Sequence, residues 1–190
     1  MVSNIAFLVL VLAVGVQRLW EVRKSARNEA KLRALGAREH APEQMRVMRL
    51  VHATWIASML IEVFVLSRPW DLRLAAPALL LFLCGQTLRL MAMHALGDRW
   101  TVKVITLPGA PPVAHGIFRA LRHPNYLGVV LEIFALPLVH GAWITSVVFT
   151  IANGLLLRAR VSREEEALNA DNDYDAAFGD RPRFVPGMRA

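Results

Sequence analysis

Two short motifs carry the side chains that could do chemistry. The first is Arg122-His123-Pro124-Asn125-Tyr126-Leu127-Gly128, and the second is Arg160-Val161-Ser162-Arg163-Glu164-Glu165-Glu166-Ala167-Leu168. Between them run about thirty mostly apolar residues, broken at His140-Gly141, enough for two short helices that cross a bilayer and return. Both motifs would then meet on one side of the membrane. A charged site bearing a histidine and a tyrosine, placed against lipid, suits an enzyme that acts on a lipid-tailed substrate.

Local physics places these residues. The residue before a proline is pushed out of helical geometry, and proline fits a first helical turn. His123 is therefore expected in a loop, with Tyr126 one turn into a helix. In the second motif Arg160, Glu164 and Leu168 recur every four residues and share a helix face. Glu165 points about 100° away. An Arg160–Glu164 surface ion pair is the simpler alternative for this pattern, and such pairs stabilise little.

The elements that must position these residues are membrane spans. Of the 190 residues, 55% are apolar and the formal net charge is +7. The basic residues lie between apolar runs, which assigns the excess to an anionic membrane surface and membrane lipids rather than nucleic acid. Five spans are predicted: 5–19, 51–66, 74–96, 126–139 and 142–157. Several are shorter than the ~20 residues of a typical spanning helix. Residues 21–46 read as a separate surface helix, and a further helix is predicted from Ser162 to about Asn169. After it come Tyr174 to Phe178 and an extended end carrying Pro182 and Pro186. No segment reads as a strand. Cys84, the single cysteine, reads as a small packing residue, and no metal site is expected.

Orientation follows from lysine and arginine. With five spans, nineteen basic residues fall on one side and two, Arg68 and Arg73, on the other. The expectation is an anchor whose N-terminus lies outside, with the C-terminus and the site in the cytoplasm. The chain divides into residues 1–80, two spans and a basic loop, and residues 81–190, a core with the pocket, all within one membrane domain.

Three charges fall inside spans: Glu62, Arg89 and Glu132. Such charges are costly and usually functional. Arg89 lies seven residues from the cytoplasmic end of its span and Glu132 six from the end of its own, so their depths match. Either Arg89 is neutralised by Glu132, or it faces a cavity and binds an anionic substrate oxygen. Glu62 sits near the outer end of its span and matches neither.

At this point the chain resembles the isoprenylcysteine carboxyl methyltransferase family of integral membrane enzymes. The resemblance rests on Gly85 to Arg89, the turn Gly97-Asp98-Arg99-Trp100, Gly116 to Gly128, Arg160 to Leu168 and the closing Arg183-Phe184-Val185-Pro186. It implies an all-α integral membrane fold of about five transmembrane helices, with a cytoplasmic C-terminal helix and loop covering the cofactor pocket. It implies S-adenosyl-L-methionine as cofactor and a lipid-tailed or prenylated acceptor reaching the site from the bilayer. Residue by residue, it implies that Val113, Phe118, His123, Pro124, Asn125, Tyr126 and Glu164 contact the cofactor. It places Arg89 and Arg160 as catalytic residues near the acceptor or the transferred methyl.

Phe118 stands where many members carry tyrosine. The Gly97-Asp98-Arg99-Trp100-Thr101 turn resembles that of bacterial relatives that methylate hydroxyls of alkyl-pyrones or alkyl-phenols. Transfer from a sulfonium needs alignment and a dry site more than a strong base, and arginine orients an anionic acceptor by paired hydrogen bonds. An NADPH-dependent membrane reductase of the sterol-reductase kind is the alternative enzyme, having an Arg-His-x-x-Tyr-like motif. The Arg-x-x-x-Glu-Glu-x-x-Leu motif favours the methyltransferase. A transporter or scaffold is the alternative without catalysis, and the repeats usual in transporters are absent from the sequence.

Overall fold

The structure is a computed structural model that describes residues 2–184; Val185 and Pro186 of the closing motif lie outside these. In chain order come α1 (Val2–Ala34), β1 (Arg38–His40), α2 (Gln44–Leu60), a π-helical turn (Ile61–Val65), α3 (Leu72–Leu96), β2 (Val104–Thr106), α4 (Pro124–Leu138), α5 (Trp143–Asn172) and α6 (Tyr174–Phe178). Among the described residues four helices are long and apolar enough to cross a membrane: α1, α2 with its π turn, α3 with its short extension to Arg99, and α5. The fifth, α4, has 15 residues and packs chiefly on α3 and α5. The fold is an all-α membrane bundle.

Two helices are longer than the bilayer needs. At 1.5 Å per residue, α1 reaches about 50 Å and α5 about 45 Å, against a hydrocarbon core of about 30 Å. The separate surface helix expected over 21–46 is instead the second half of α1. No glycine or proline interrupts residues 16–35, so nothing stops the helix. Its buried residues Glu21, Ser25, Asn28 and Leu32 recur every three or four positions, as one packed face requires. The Ser162–Asn169 helix is likewise the last third of α5, which ends where Asp173 turns left-handed at φ 52°.

A short ribbon corrects the expectation of no strands. β1 pairs antiparallel with β2, Arg38 opposite Thr106 and His40 opposite Val104. Three residues per strand are too few to leave a periodic signal. Thr106 donates to Asp171, and the His40 ring bonds the Thr106 hydroxyl at 2.8 Å, which ties the ribbon to the end of α5. Cys84 also departs from its expected role: it is exposed on the outer face of α3.

The α4–α5 hairpin reverses at His140-Gly141, as its sequence predicts. Gly141 adopts φ +73°, and an added Cβ would lie 2.9 Å from the Pro69 carbonyl oxygen, so glycine is required there. Glu62 explains why the reversal is fixed. Its carboxylate accepts from the backbone N–H groups of Ile144 (3.1 Å) and Thr145 (2.7 Å) and from the Thr145 hydroxyl (2.7 Å). It also accepts from Arg68 Nε at 3.0 Å. The unpaired N–H groups and positive dipole end of α5 receive a carboxylate, aimed by the π turn. Glu62 is a cap.

Gly85 and Gly128 let α3 and α4 cross closely. A Cβ at Gly128 would lie 2.6 Å from Arg89 Cγ and 2.7 Å from the Gly85 carbonyl oxygen. Gly128→Ala should therefore force the helices apart, at about 1–3 kcal/mol. The melting midpoint in detergent should fall by several degrees; an unchanged midpoint would mean the crossing is looser than described.

Candidate functional site

The overhanging halves of α1 and α5, the ribbon and α6 enclose a cavity of about 140 Å³. Its apolar lining includes Val113, Phe118, Leu168, Tyr174 and Phe178, and its polar lining includes His123, Glu164 and Asn172. Phe118, Tyr174 and Phe178 form one cluster with Ala92 of α3. Burial, reinforced by the Glu164 and Glu165 carboxylates, pushes the Tyr174 phenol well above the usual tyrosine range. It therefore stays neutral.

Of the residues the resemblance assigns to the cofactor, Val113, Phe118, His123 and Glu164 line this cavity. Pro124, Asn125 and Tyr126 lie in the first turn of α4 and do not line it. Asn125 Oδ1 is buried and has no partner among the described residues. Tyr126 sits one layer behind, 8% exposed, its ring stacked on His123 at 5.5 Å. Its hydroxyl donates to Glu164 and accepts from Arg160 Nε at 2.8 Å. Arg160 therefore meets Glu164 through a tyrosine; among the described residues the two form no direct ion pair.

Arg160 faces a second space. A groove of about 180 Å³ runs between the start of α2 and α5, lined by Glu43, Gln44, Val47, Met48, Leu156, Ala159 and Arg160. Arg160 is 5% exposed. Its neighbours are the Tyr126 hydroxyl, the Val102 carbonyl oxygen at 2.6 Å and Met45 Sδ at 3.7 Å. No carboxylate pairs with it among the described residues. A buried cation without a counterion is costly, and an anionic oxygen would complete its shell.

Arg89 is placed elsewhere. It lines neither space. Its Nη2 lies 2.6 Å from Glu21 Oε2 and its Nη1 3.0 Å from Glu132 Oε2. Arg18 pairs with both of those glutamates, and Gln86 donates to Glu132. Gln17 links Glu21 (3.1 Å) to Gln86 (2.8 Å). The equal depths of Arg89 and Glu132 are real, and they bring the two together as a pair. The cluster balances two arginines against two glutamates across α1, α3 and α4. The structure thus sets Arg89 apart from the site that the resemblance assigns to it.

Glu165 is the functional residue the sequence reading missed. Its carboxylate holds His123 Nε2 at 2.9 Å and Arg183 through three bonds, Nε to Oε1 at 3.0 Å and to Oε2 at 3.2 Å, and Nη2 to Oε2 at 2.6 Å. The hydrogen bond that the guanidinium donates to Glu165, with the charge of that carboxylate, holds Arg183 above its ordinary range. The 179–184 strap is laced to the first motif. Arg122 donates to the carbonyl oxygens of Arg181 (2.7 Å) and Gly179 (2.9 Å). The Arg122 and His123 N–H groups bond the carbonyl oxygens of Pro182 (3.0 Å) and Arg183 (3.1 Å). The only signal for this role was the second glutamate of the Glu164-Glu165 pair.

The residues present fit a nucleoside cofactor. Aromatic and aliphatic walls face one another across the cavity, and Glu164 supplies an acceptor for hydroxyl or ammonium groups. Asn172 uses its amide N–H groups on the carbonyl oxygens of Leu107 and Ala110, both at 2.7 Å. Its Oδ1 is buried without a partner among the described residues, an unsatisfied acceptor at the cavity wall.

Comparisons with known proteins agree with this architecture. YpbQ of Bacillus subtilis (strain 168), an uncharacterized protein, is 32% identical over 165 residues, which span 85% of this chain and 96% of that protein. An uncharacterized protein of Haemophilus influenzae is 26% identical over 167 residues, 87% of this chain and 94% of its own length. The solved structure of the eukaryotic intramembrane Ras methyltransferase ICMT superposes with a TM-score of 0.55 at 18% identity. That overlay covers 75% of this chain but only 53% of the eukaryotic protein, so the chain spans about half its length. A family model described as the isoprenylcysteine carboxyl methyltransferase (ICMT) family matches residues 78–170. That segment runs from α3 through α5 and contains Gly85, Arg89, both motifs and most of the cavity wall. The chain belongs to the isoprenylcysteine carboxyl methyltransferase family, a family of membrane methyltransferases.

Proposed function

We propose that this protein transfers the methyl group of S-adenosyl-L-methionine to an ionised oxygen of a lipid-tailed acceptor at the cytoplasmic face of the membrane. The acceptor oxygen is a carboxylate, as in an isoprenylcysteine, or an acidic hydroxyl, as in an alkyl-pyrone or alkyl-phenol. The observation that carries this reading is Arg160: a buried guanidinium with no carboxylate partner among the described residues, at one end of an apolar groove. It is also one tyrosine away from Glu164 in the cavity.

When bound, the cofactor supplies an electrophilic methyl on a sulfonium. Phe118, Val113 and Tyr174 give its base and ribose an apolar bed, and Glu164 takes its hydroxyl or ammonium groups. His123, fixed by Glu165, closes the wall between the cavity and α4. Arg160 holds the acceptor anion and needs no proton to do so. Val47, Met48, Leu156 and Ala159 receive the acceptor's tail. Walls of this kind exclude water, which would otherwise solvate the anion and weaken the guanidinium's hold. The excess of basic residues between apolar runs supports a cytoplasmic C-terminus and site, and an N-terminus outside.

S-adenosylhomocysteine should raise the melting midpoint of the detergent-solubilised protein, while NADPH leaves it unchanged. Calorimetry should show Glu164→Ala weakening that binding about tenfold, the size of one lost charge-assisted hydrogen bond. A midpoint that responds to NADPH and not to S-adenosylhomocysteine would move the protein to the reductase class.

A further inference from the structure

We propose that Tyr126 is a positioning residue that couples the cavity to the groove, so that Arg160 and the cofactor sense one another through its hydroxyl. The inference rests on the assignment of the cavity to S-adenosyl-L-methionine. Tyr126 lines neither space, yet its oxygen touches both walls. Arg160 Nε–H donates to that oxygen at 2.8 Å, and the phenol O–H donates onward to Glu164 Oε2. The direction is fixed: arginine has only donors, and an ionised glutamate has only acceptors. Each bond polarises the next in a buried setting. A second link runs from Arg160 Nη2 to the Val102 carbonyl oxygen at 2.6 Å, between the cavity residues Thr101 and Lys103, but it does not reach Glu164.

The ring is held independently of the hydroxyl. It packs against Leu157 and Val161 of α5, with Phe184 of the strap beside it, and stacks on His123. Removing the oxygen should therefore leave the ring in place and cut the path. The coupling is reciprocal for binding free energies: whatever fixes Glu164 from the cavity side fixes Arg160 on the groove side.

The test is a double-mutant cycle read as S-adenosylhomocysteine affinity by calorimetry, on the full chain in detergent. Arg160 does not line the cavity, and Arg160→Met, which has no donor for the Tyr126 hydroxyl, cuts the path; the cycle separates this effect from the one carried by Val102, which is the same in both backgrounds. The expected result is about a fivefold loss for Arg160→Met in the native background, at the lower end of typical couplings, and less than twofold in a Tyr126→Phe background. An equal Arg160→Met factor in both backgrounds, or no effect in either, overturns the inference, because a tyrosine that only packs gives additive losses. If Tyr126→Phe does not fold, Glu164→Ala, which removes the acceptor, replaces it at the other end of the path, with the same non-additivity expected and the same additivity overturning it. Native protein that binds no S-adenosylhomocysteine overturns the cofactor assignment and this inference together, whereas binding with an additive cycle overturns this inference alone.

Discussion

Arg89→Ala should cost about 3–5 kcal/mol, the usual penalty for removing one partner of a buried ion pair. The side chain is 8% exposed and bridges Glu21 of α1 to Glu132 of α4. Without it, two buried carboxylates share Arg18 alone, and α1 loses its strongest tie to α3. The melting midpoint should collapse, and S-adenosylhomocysteine binding should be lost in parallel because the cavity wall contains α1 residues such as Leu32. Arg89→Lys should fall between, since one ammonium cannot make two planar contacts to carboxylates on different helices. A paired change, Arg89→Met with Glu132→Met, leaves Arg18 facing Glu21. It should recover part of the loss, because a charge is no longer left unpaired. An Arg89→Lys protein that melts normally and binds nucleoside normally, yet transfers no methyl, would instead put Arg89 at the reacting atoms.

The contrast between the two arginines shows where sequence reasoning reached and where it stopped. Counting residues from the span ends placed Arg89 and Glu132 at one depth, and they do meet. Glu21 and Arg18 escaped because the second half of α1 reads as charged and therefore solvated. A charge pattern does not reveal that Arg89 of α3 and the 97–102 segment after it lie against this half and turn Glu21, Ser25 and Asn28 inward. The hairpin at His140-Gly141 was legible because glycine at a reversal has a steric cause. Glu62 was visible as an intramembrane charge, but its role depends on a π turn and on the start of a helix eighty residues later.

At the site, the motifs were legible as a pair and their internal assignments were not. Helical spacing puts Arg160 and Glu164 on one face, and a direct ion pair is the natural inference. In the folded chain the Tyr126 hydroxyl fills the gap between them. Glu165, 100° around the helix, points at His123 and Arg183 instead of solvent. The partner that decides its orientation is the 179–184 strap, and a strap with no hydrophobic period leaves no trace in a local pattern. Tyr174 to Phe178 was read only as a segment of the tail, yet it is a helix that supplies two residues of the cavity wall.

Arg160→Gln should lower methyl transfer by about a hundredfold or more, the scale set by removing one preorganised donor from a developing reaction centre. Glutamine keeps a donor for the Tyr126 hydroxyl but carries no charge, so the acceptor anion loses its counterion in a largely dry groove. Most of the loss should appear in turnover, with nucleoside affinity within about twofold of native because a donor to Tyr126 is kept. Transfer of labelled methyl to an alkylated hydroxypyrone and to an N-acetylated S-farnesyl cysteine, with native and variant proteins side by side, measures this and identifies the acceptor oxygen. Arg160→Lys should recover only part of the rate, because its ammonium must choose between Tyr126, the Val102 carbonyl oxygen and the acceptor, whereas the guanidinium serves all three. An Arg160→Gln protein with near-native turnover on whichever acceptor is used would remove the anion from this groove. The buried charge of Arg160 would then stand on its tyrosine and carbonyl partners alone.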